Sequence, residues 1–386
     1  MGIRGITTAF LTKVKMKKRI LFLMQLYPPI HGASTVGENI KSSKLINDAF
    51  DCDYVRISTL PIGKGGVLNK IKAFIFLYIK VLKLLLKNKY DLVYLAPTAL
   101  RFPFYKDFGL SILAKLFNKN IVYHFHNKGI SVNRIVPPFI MRIFFNNTKV
   151  ILSSQLLYYD IERYVTREAV FFCAYGIADD IHSLNNINKN PQKPRILFFA
   201  HMLRSKGVFV LLNACKILNE RNIDFICNFV GSWYDINESE FNSFVKKHNL
   251  SSKIIFLGPQ YGPKKNFVLA NTDIFAFPTY YKDECFPLGL LEALRWGLPI
   301  ITTKEGAIPD IVNDGICGFL VKHHDSNALA EKLELLIQNK DLREAMGKKG
   351  RLRYEQNFTL QHFEHNLITI LNKCLLKAFS FLTYMF

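Results

Sequence analysis

Short apolar runs alternate with longer amphipathic segments from about residue 20 to residue 321, as they do when parallel strands are each followed by a covering helix. In the first half the strand candidates are Ile20–Met24, Asp53–Ser58, Leu92–Leu95, Ile121–Phe125, Val150–Ser153 and Val170–Cys173. In the second half they are Arg195–Ala200, Phe225–Val230, Ile254–Leu257, Ile274–Pro278, Pro299–Thr302 and Gly318–Val321. A polar, helix-poor stretch from Asp179 to Lys193 separates the two sets. The pattern predicts an α/β protein of two Rossmann-like doubly wound domains facing a central cleft, residues 18–180 and 195–360, joined by a linker over 181–194. A basic extension over residues 1–17 precedes them. A helical segment over 361–386 is expected to pack back on the first domain. No internal repeat is visible.

At 386 residues, 49% hydrophobic and 13% aromatic, the chain has material for two cores and is not a disordered polymer. No uninterrupted apolar run reaches the roughly 18 residues that a bilayer-spanning helix needs. Seven scattered cysteines without a Cys-x-x-Cys pair suit a reducing compartment and argue against a disulfide framework or a zinc ribbon. Met16-Lys17-Lys18-Arg19 just before the first strand makes Met16 an alternative start. The short apolar stretch from Ile6 to Leu11 does not read as a secretory signal, and Ile6 does not fit a myristoylation signal.

The formal net charge of +21 is uneven, with 27 basic against 11 acidic side chains in residues 1–190 and 24 against 19 in the remainder. A basic first half suits nucleic acid, an anionic membrane surface or a phosphorylated substrate. Residues 64–89 hold seven lysines and no acid around an apolar run. Lys72, Lys80, Lys83 and Lys87 share one side of a helix, with Phe76, Ile79, Leu82 and Leu86 around the rest. Such a helix either lies in an anionic headgroup layer or is an ordinary domain helix with a solvated lysine face. Interleaved aromatic and glycine motifs of RNA readers are missing, so nucleic acid is not an expected partner.

In a parallel sheet, ligands bind beyond the carboxyl ends of the strands, and the motifs sit on loops that follow strands. After Ile274–Pro278 come Glu284 and, seven residues between, Glu292, the second expected about two turns into a helix. Carboxylates accept pairs of sugar hydroxyls, and the backbone N–H groups from Phe286 to Leu288 can hold a phosphate or sugar. A helix-capping acid plus a surface glutamate is the plainer alternative. Trp296-Gly297-Leu298-Pro299, Gly306-Ala307-Ile308-Pro309-Asp310 and Gly318-Phe319-Leu320-Val321 follow. This string resembles the retaining glycosyltransferases of family 4, the two-Rossmann-domain GT-B type, strongly over residues 195–355 and more loosely over 18–180. The resemblance implies that Glu284 contacts donor-sugar hydroxyls and Glu292 the nucleotide ribose.

His201-Met202-Leu203-Arg204-Ser205-Lys206-Gly207 leaves a strand and enters a helix, where cations and N–H groups can clamp a diphosphate. It resembles the family's Lys-Gly loop, with His201 where an Arg is usual and Arg204 as the candidate second positive charge beside Lys206. In the first half, Gly32 lets backbone approach a ligand, and Ser34 and Thr35 are candidate caps for the next helix. Neither a dinucleotide fingerprint nor a P-loop is present. His124 and His126 lie two apart on a strand; we expect them on opposite faces, with His126 beside the donor sugar, His124 in the core, and no zinc pair. Asp51-Cys52-Asp53 spells Asp-x-Asp but reads as a turn acid, so no essential metal is expected, and no cofactor beyond the nucleotide-diphosphate sugar as co-substrate.

The resemblance therefore implies a metal-independent retaining glycosyltransferase. Its donor domain would be the second and its acceptor domain the first, with His126 and Glu284 catalytic and Gly32, Arg204, Lys206, Phe286, Leu288 and Glu292 binding the donor. The expected acceptor is a glycan or lipid-linked glycan of cell-surface polysaccharide assembly, at the cytoplasmic face of an anionic membrane. A silent member that binds a nucleotide sugar or scaffolds other enzymes is the alternative.

Overall fold

A computed structural model of the protein describes residues 17–58, 67–98, 103–181 and 193–376. Residues 1–16 of the expected extension over 1–17, most of the linker and residues 377–386 lie outside the described residues.

The first domain is built on six parallel strands, β1 (Arg19–Met24), β2 (Asp51–Arg56), β3 (Leu92–Leu95), β4 (Asn120–His124), β5 (Lys149–Leu152) and β6 (Val170–Phe172). Their order is β2-β1-β3-β4-β5-β6. Helices α1 (Gly32–Ser42), α2 (Lys44–Ala49), α3 (Val67–Lys87), α4 (Pro103–Leu116) and α5 (Pro138–Phe145) connect them. The second domain has β7 (Arg195–Phe199), β8 (Ile226–Val230), β9 (Ile254–Gly258), β10 (Ile274–Phe277), β11 (Ile300–Thr303) and β12 (Gly318–Val321), ordered β12-β11-β10-β7-β8-β9. Its helices are α6 (Val208–Glu220), α7 (Glu238–Lys247), α8 (Gly262–Ala270), α9 (Leu288–Arg295), α10 (Ile308–Ile311), α11 (Ser326–Gln338) and α12 (Lys340–Asn357); α13 (Leu360–Leu375) follows.

All twelve expected strands form, with ends moved by at most two residues. They read as unbroken apolar runs because helices cover both faces of each sheet: β3 and β10 are buried throughout, and Ile20 to Leu23 of β1 are fully buried. In the second sheet β7 lies between β8 and β10, so the strand order reverses there. At such a reversal two neighbouring connections leave in opposite directions and open a crevice at the carboxyl ends.

Asp51 and Asp53 are not in a turn but open strand β2, beside the start of β1. The Arg19 guanidinium binds Asp53 Oδ2 at 3.0 Å, and Tyr90 donates to the same oxygen at 2.6 Å. The Asp-x-Asp pair thus sits at the amino ends of its sheet, opposite the edge where ligands bind.

The chain crosses between domains twice, and the crossings are tied together: Ile177 N–H donates to Phe358 O at 3.0 Å and Leu360 N–H to Ile177 O at 2.8 Å. After the second crossing α13 packs on α2 and β4, and Lys149 donates to Lys373 O at 2.9 Å. Among the described residues no helix is long and apolar enough to cross a membrane.

Candidate active site at the strand ends

The loops leaving β7 and β10 meet at the strand-order reversal of the second sheet. Lys206 is carried by a short 3-10 turn after β7, and Glu284 by the loop between β10 and α9. Gly207 allows the first loop to close on the second: its φ is +89°, and a Cβ there would stand 2.1 Å from Pro278 O. Lys206 Nζ consequently lies 2.6 Å from Glu284 Oε2 and 4.5 Å from the centre of the Tyr281 ring. Both side chains are largely buried, at 17% and 8% exposure, and Thr279 Oγ1 lies 3.5 Å from the same carboxylate oxygen.

Glu284 is held from the other side by the loop after β11. Gly306 has φ +54°, and a Cβ on it would fall 2.2 Å from Glu284 O. Ala307 N–H donates to Cys285 O at 2.9 Å. The Gly-Ala pair of the sequence motif is thus the backbone surface against which the Glu284 loop rests.

Glu292 lies one turn into α9, nearer its start than the spacing suggested. Its carboxylate is taken up by two cations, Lys265 at 2.7 Å and Arg295 at 2.6 Å. Arg295, 2% exposed, also binds Asp180, Ala178 O at 2.9 Å and Asn266 Oδ1 at 3.1 Å. Arg295 was detectable as a partner three residues on in a helix; Lys265, 27 residues away, carried no local signal. Arg204 is turned away from Lys206: its guanidinium binds Glu240 on α7 and lies 5.1 Å from the Phe209 ring centre. Partial desolvation, and then the charge of Lys206, lower the pKa of His201.

From the first domain, Gly32 begins α1, and a Cβ on it would meet nothing within 4 Å. The cap of α1 is not Ser34 or Thr35 but His31, whose Nδ1 accepts from Ser34 N–H at 3.3 Å while Ser34 Oγ accepts from His31 N–H at 2.9 Å. His124 and His126 share a face of the sheet, with ring centres 4.5 Å apart. This corrects the expectation of opposite faces: side chains alternate residue by residue along a strand, so positions two apart point the same way. Of the two grounds for setting a zinc pair aside, opposite faces and the want of a third ligand, the first is thus mistaken; among the described residues no three His, Cys, Asp or Glu side chains group as metal ligands. Burial first, then the neighbouring His31, pushes the His126 pKa down to about 3, and burial drives His124 well below its ordinary value. His126 Nδ1 is 2.6 Å from the Tyr175 hydroxyl, and the Tyr175 ring packs 5.1 Å from that of Phe286, beside Glu284. Phe286 thus meets the first domain through its ring, and Leu288 opens α9 behind Pro287.

The domains also touch directly at this level. Lys128, two residues past His126, pairs with Glu305 of the loop after β11, both nearly buried. Ser154 donates to Asp310, and Ser153 Oγ is 3.5 Å from Cys285 Sγ. None of these pairs had a sequence signal, since the partners are more than 130 residues apart.

The two six-stranded parallel sheets, with this crevice at their facing loops, define the GT-B class of fold. Residues 180–353 match the family model described as glycosyl transferases group 1. The spore coat protein SA of Bacillus subtilis is 28% identical over 193 residues, 47% of this chain and 49% of that protein. A capsular polysaccharide biosynthesis glycosyltransferase of Staphylococcus aureus, CapM, is 31% identical over 192 residues, 47% of this chain and 46% of that protein. The chain thus spans about half the length of the curated relatives it matches. Over nearly the whole fold, HepE of Anabaena, solved in complex with UDP, superposes with a TM-score of 0.71 at 16% identity, covering 92% of this chain and 100% of that one.

Proposed function

We propose that this protein is a retaining, metal-independent glycosyltransferase that moves a sugar from a nucleotide-diphosphate donor to a glycan or lipid-linked glycan of cell-surface polysaccharide assembly. The observation that carries the reading is the Lys206–Glu284 pair, a buried cation and carboxylate side by side at the strand-order reversal of the second sheet. The two groups divide the donor between them: the ammonium offsets charge developing on the departing diphosphate, and the carboxylate accepts hydrogen bonds from sugar hydroxyls. Glu292 is a ready ribose acceptor, with its carboxylate held by Lys265 and Arg295. The family-model match over the second domain and the UDP held by HepE support a nucleotide donor. In this reading Arg204 leaves Glu240 to join the diphosphate, or Lys206 serves alone.

The acceptor comes to the first domain, at an anionic membrane surface on the cytoplasmic side. Supporting this are the charge asymmetry and the exposed side of α3, where Phe76 (71% exposed) and Leu86 (67%) stand among Lys72, Lys80, Lys83 and Lys87.

Replacing Glu284 by Ala is expected to lower transfer at least a hundredfold, the scale on which loss of one charge-stabilising group acts, with the circular dichroism of the fold retained. Transfer is measured as release of free nucleoside diphosphate in the presence of acceptor. Undiminished turnover in the variant rejects the site. A wild-type protein that binds nucleotide sugars but never turns them over is instead the silent member of the fold.

A further inference from the structure

His124, which is buried, and His126, which is partly buried, each have a tyrosine at Nδ1. Tyr94 Oη is 2.6 Å from His124 Nδ1, and Tyr175 Oη is 2.6 Å from His126 Nδ1. Tyr175 follows β6, is 3% exposed, and is wedged between His126, Phe286 and Phe363, with ring centres 5.1 and 6.2 Å from the two phenylalanines. Its hydroxyl has one proton and two acceptors in reach, His126 Nδ1 at 2.6 Å and Phe125 O at 3.3 Å.

A neutral imidazole carries one proton, and which nitrogen bears it is set by the bond the other nitrogen makes. Here the phenol is the better donor, the imine nitrogen the better acceptor, and the bond between them the shorter of the two. The shorter bond to the better acceptor takes the phenol proton, so it goes to His126 rather than to Phe125 O. With Nδ1 occupied as an acceptor, the ring's own proton sits on Nε2.

We propose that Tyr175 is a positioning residue that fixes His126 as the Nε2–H tautomer, so that the imidazole meets the donor sugar as a hydrogen-bond donor. This rests on the reading of His126 as the group beside the sugar. In the opposite tautomer the Nε2 lone pair would face the sugar oxygens without the proton needed to bind one as it gains charge.

The test combines a spectroscopic and a kinetic readout on the full chain. Histidine labelled with nitrogen-15 gives separate Nδ1 and Nε2 resonances, and His126 is assigned by its loss in His126→Gln. In the wild type Nδ1 is expected at the imine position and Nε2 at the protonated one. Tyr175→Phe keeps the ring packing on Phe286 and Phe363, and is expected to move both resonances toward averaged positions. The same variant should lower kcat about tenfold, the scale of one lost orienting hydrogen bond, while KM for the donor stays within about twofold. A proton on Nδ1 in the wild type, or an unchanged tautomer in Tyr175→Phe, overturns the proposal whatever the activity. If the tautomer behaves as expected while His126→Gln transfers sugar at the wild-type rate, the placement of His126 beside the sugar fails and Tyr175 loses its catalytic consequence.

Discussion

Lys206 and Glu284 have each given up most of their hydration, and each is tolerated where it stands because of the other. In the proposed reading a ligand that enters between them replaces an existing partner, so it meets groups already held in place. The two histidines obey the opposite rule: with no carboxylate contact, burial keeps them neutral. Between their folded pKa values, about 3 for His126, and the ordinary value of 6.5, the unfolded chain binds protons that the folded chain does not. Stability is then fully present above about pH 6.5 and declines as the pH falls through that window. Urea unfolding of His126→Gln is expected to show a shallower loss of stability between pH 6.5 and 4 than the wild type; parallel curves would mean that His126 is ordinarily protonated in the folded protein. At this scale the sequence was only partly legible. Glu284, Lys206 and Glu292 could be picked out because they lie in a string of motifs, whereas Tyr175 is one aromatic residue past a strand end, with nothing local to mark it.

At the scale of elements, apolar run length was enough to find every strand, because strands buried on both faces leave no ambiguity between core and surface. The loops were legible in their glycines but not in their partners. Gly306 is the clearest case, since the motif identified the residue but not the carbonyl of Glu284 pressed against it. Gly306→Ala adds a methyl group where 2.2 Å is available and strains a positive φ, so it is expected to cost about 1–3 kcal/mol by denaturant unfolding and to lower transfer with it. Stability and activity both at wild-type level would show that the loop does not support Glu284. Helix α3 raises a different question, since its apolar and lysine side chains are exposed together. Replacing Phe76 and Leu86 by Asp is expected to leave the melting temperature unchanged and to abolish co-sedimentation with vesicles of anionic lipid at low salt. Each lysine near such a surface contributes about 1 kcal/mol, and the two apolar side chains add to this only if they enter it. Equal sedimentation of variant and wild type would assign α3 to ordinary solvent exposure.

Across the whole molecule, the candidate site depends on two domains held in register by paired chain crossings at Ile177 and Phe358 and by the Lys128–Glu305 and Ser154–Asp310 contacts. In the proposed reading the second domain supplies the donor groups and the first supplies His126, so neither half holds the full set. The central claim, that a nucleotide-diphosphate sugar is gripped by Lys206 and Glu284, is tested most directly by thermal unfolding of the wild type, Lys206→Ala and Glu284→Ala against a panel of such sugars. A ligand at a hundred times its Kd stabilises the folded state by about 2.7 kcal/mol, which for domains of this size raises Tm by about 5–10 °C. The account predicts such a rise for at least one sugar in the wild type and its loss in both variants; no rise with any member of the panel, or an undiminished rise in the variants, contradicts it.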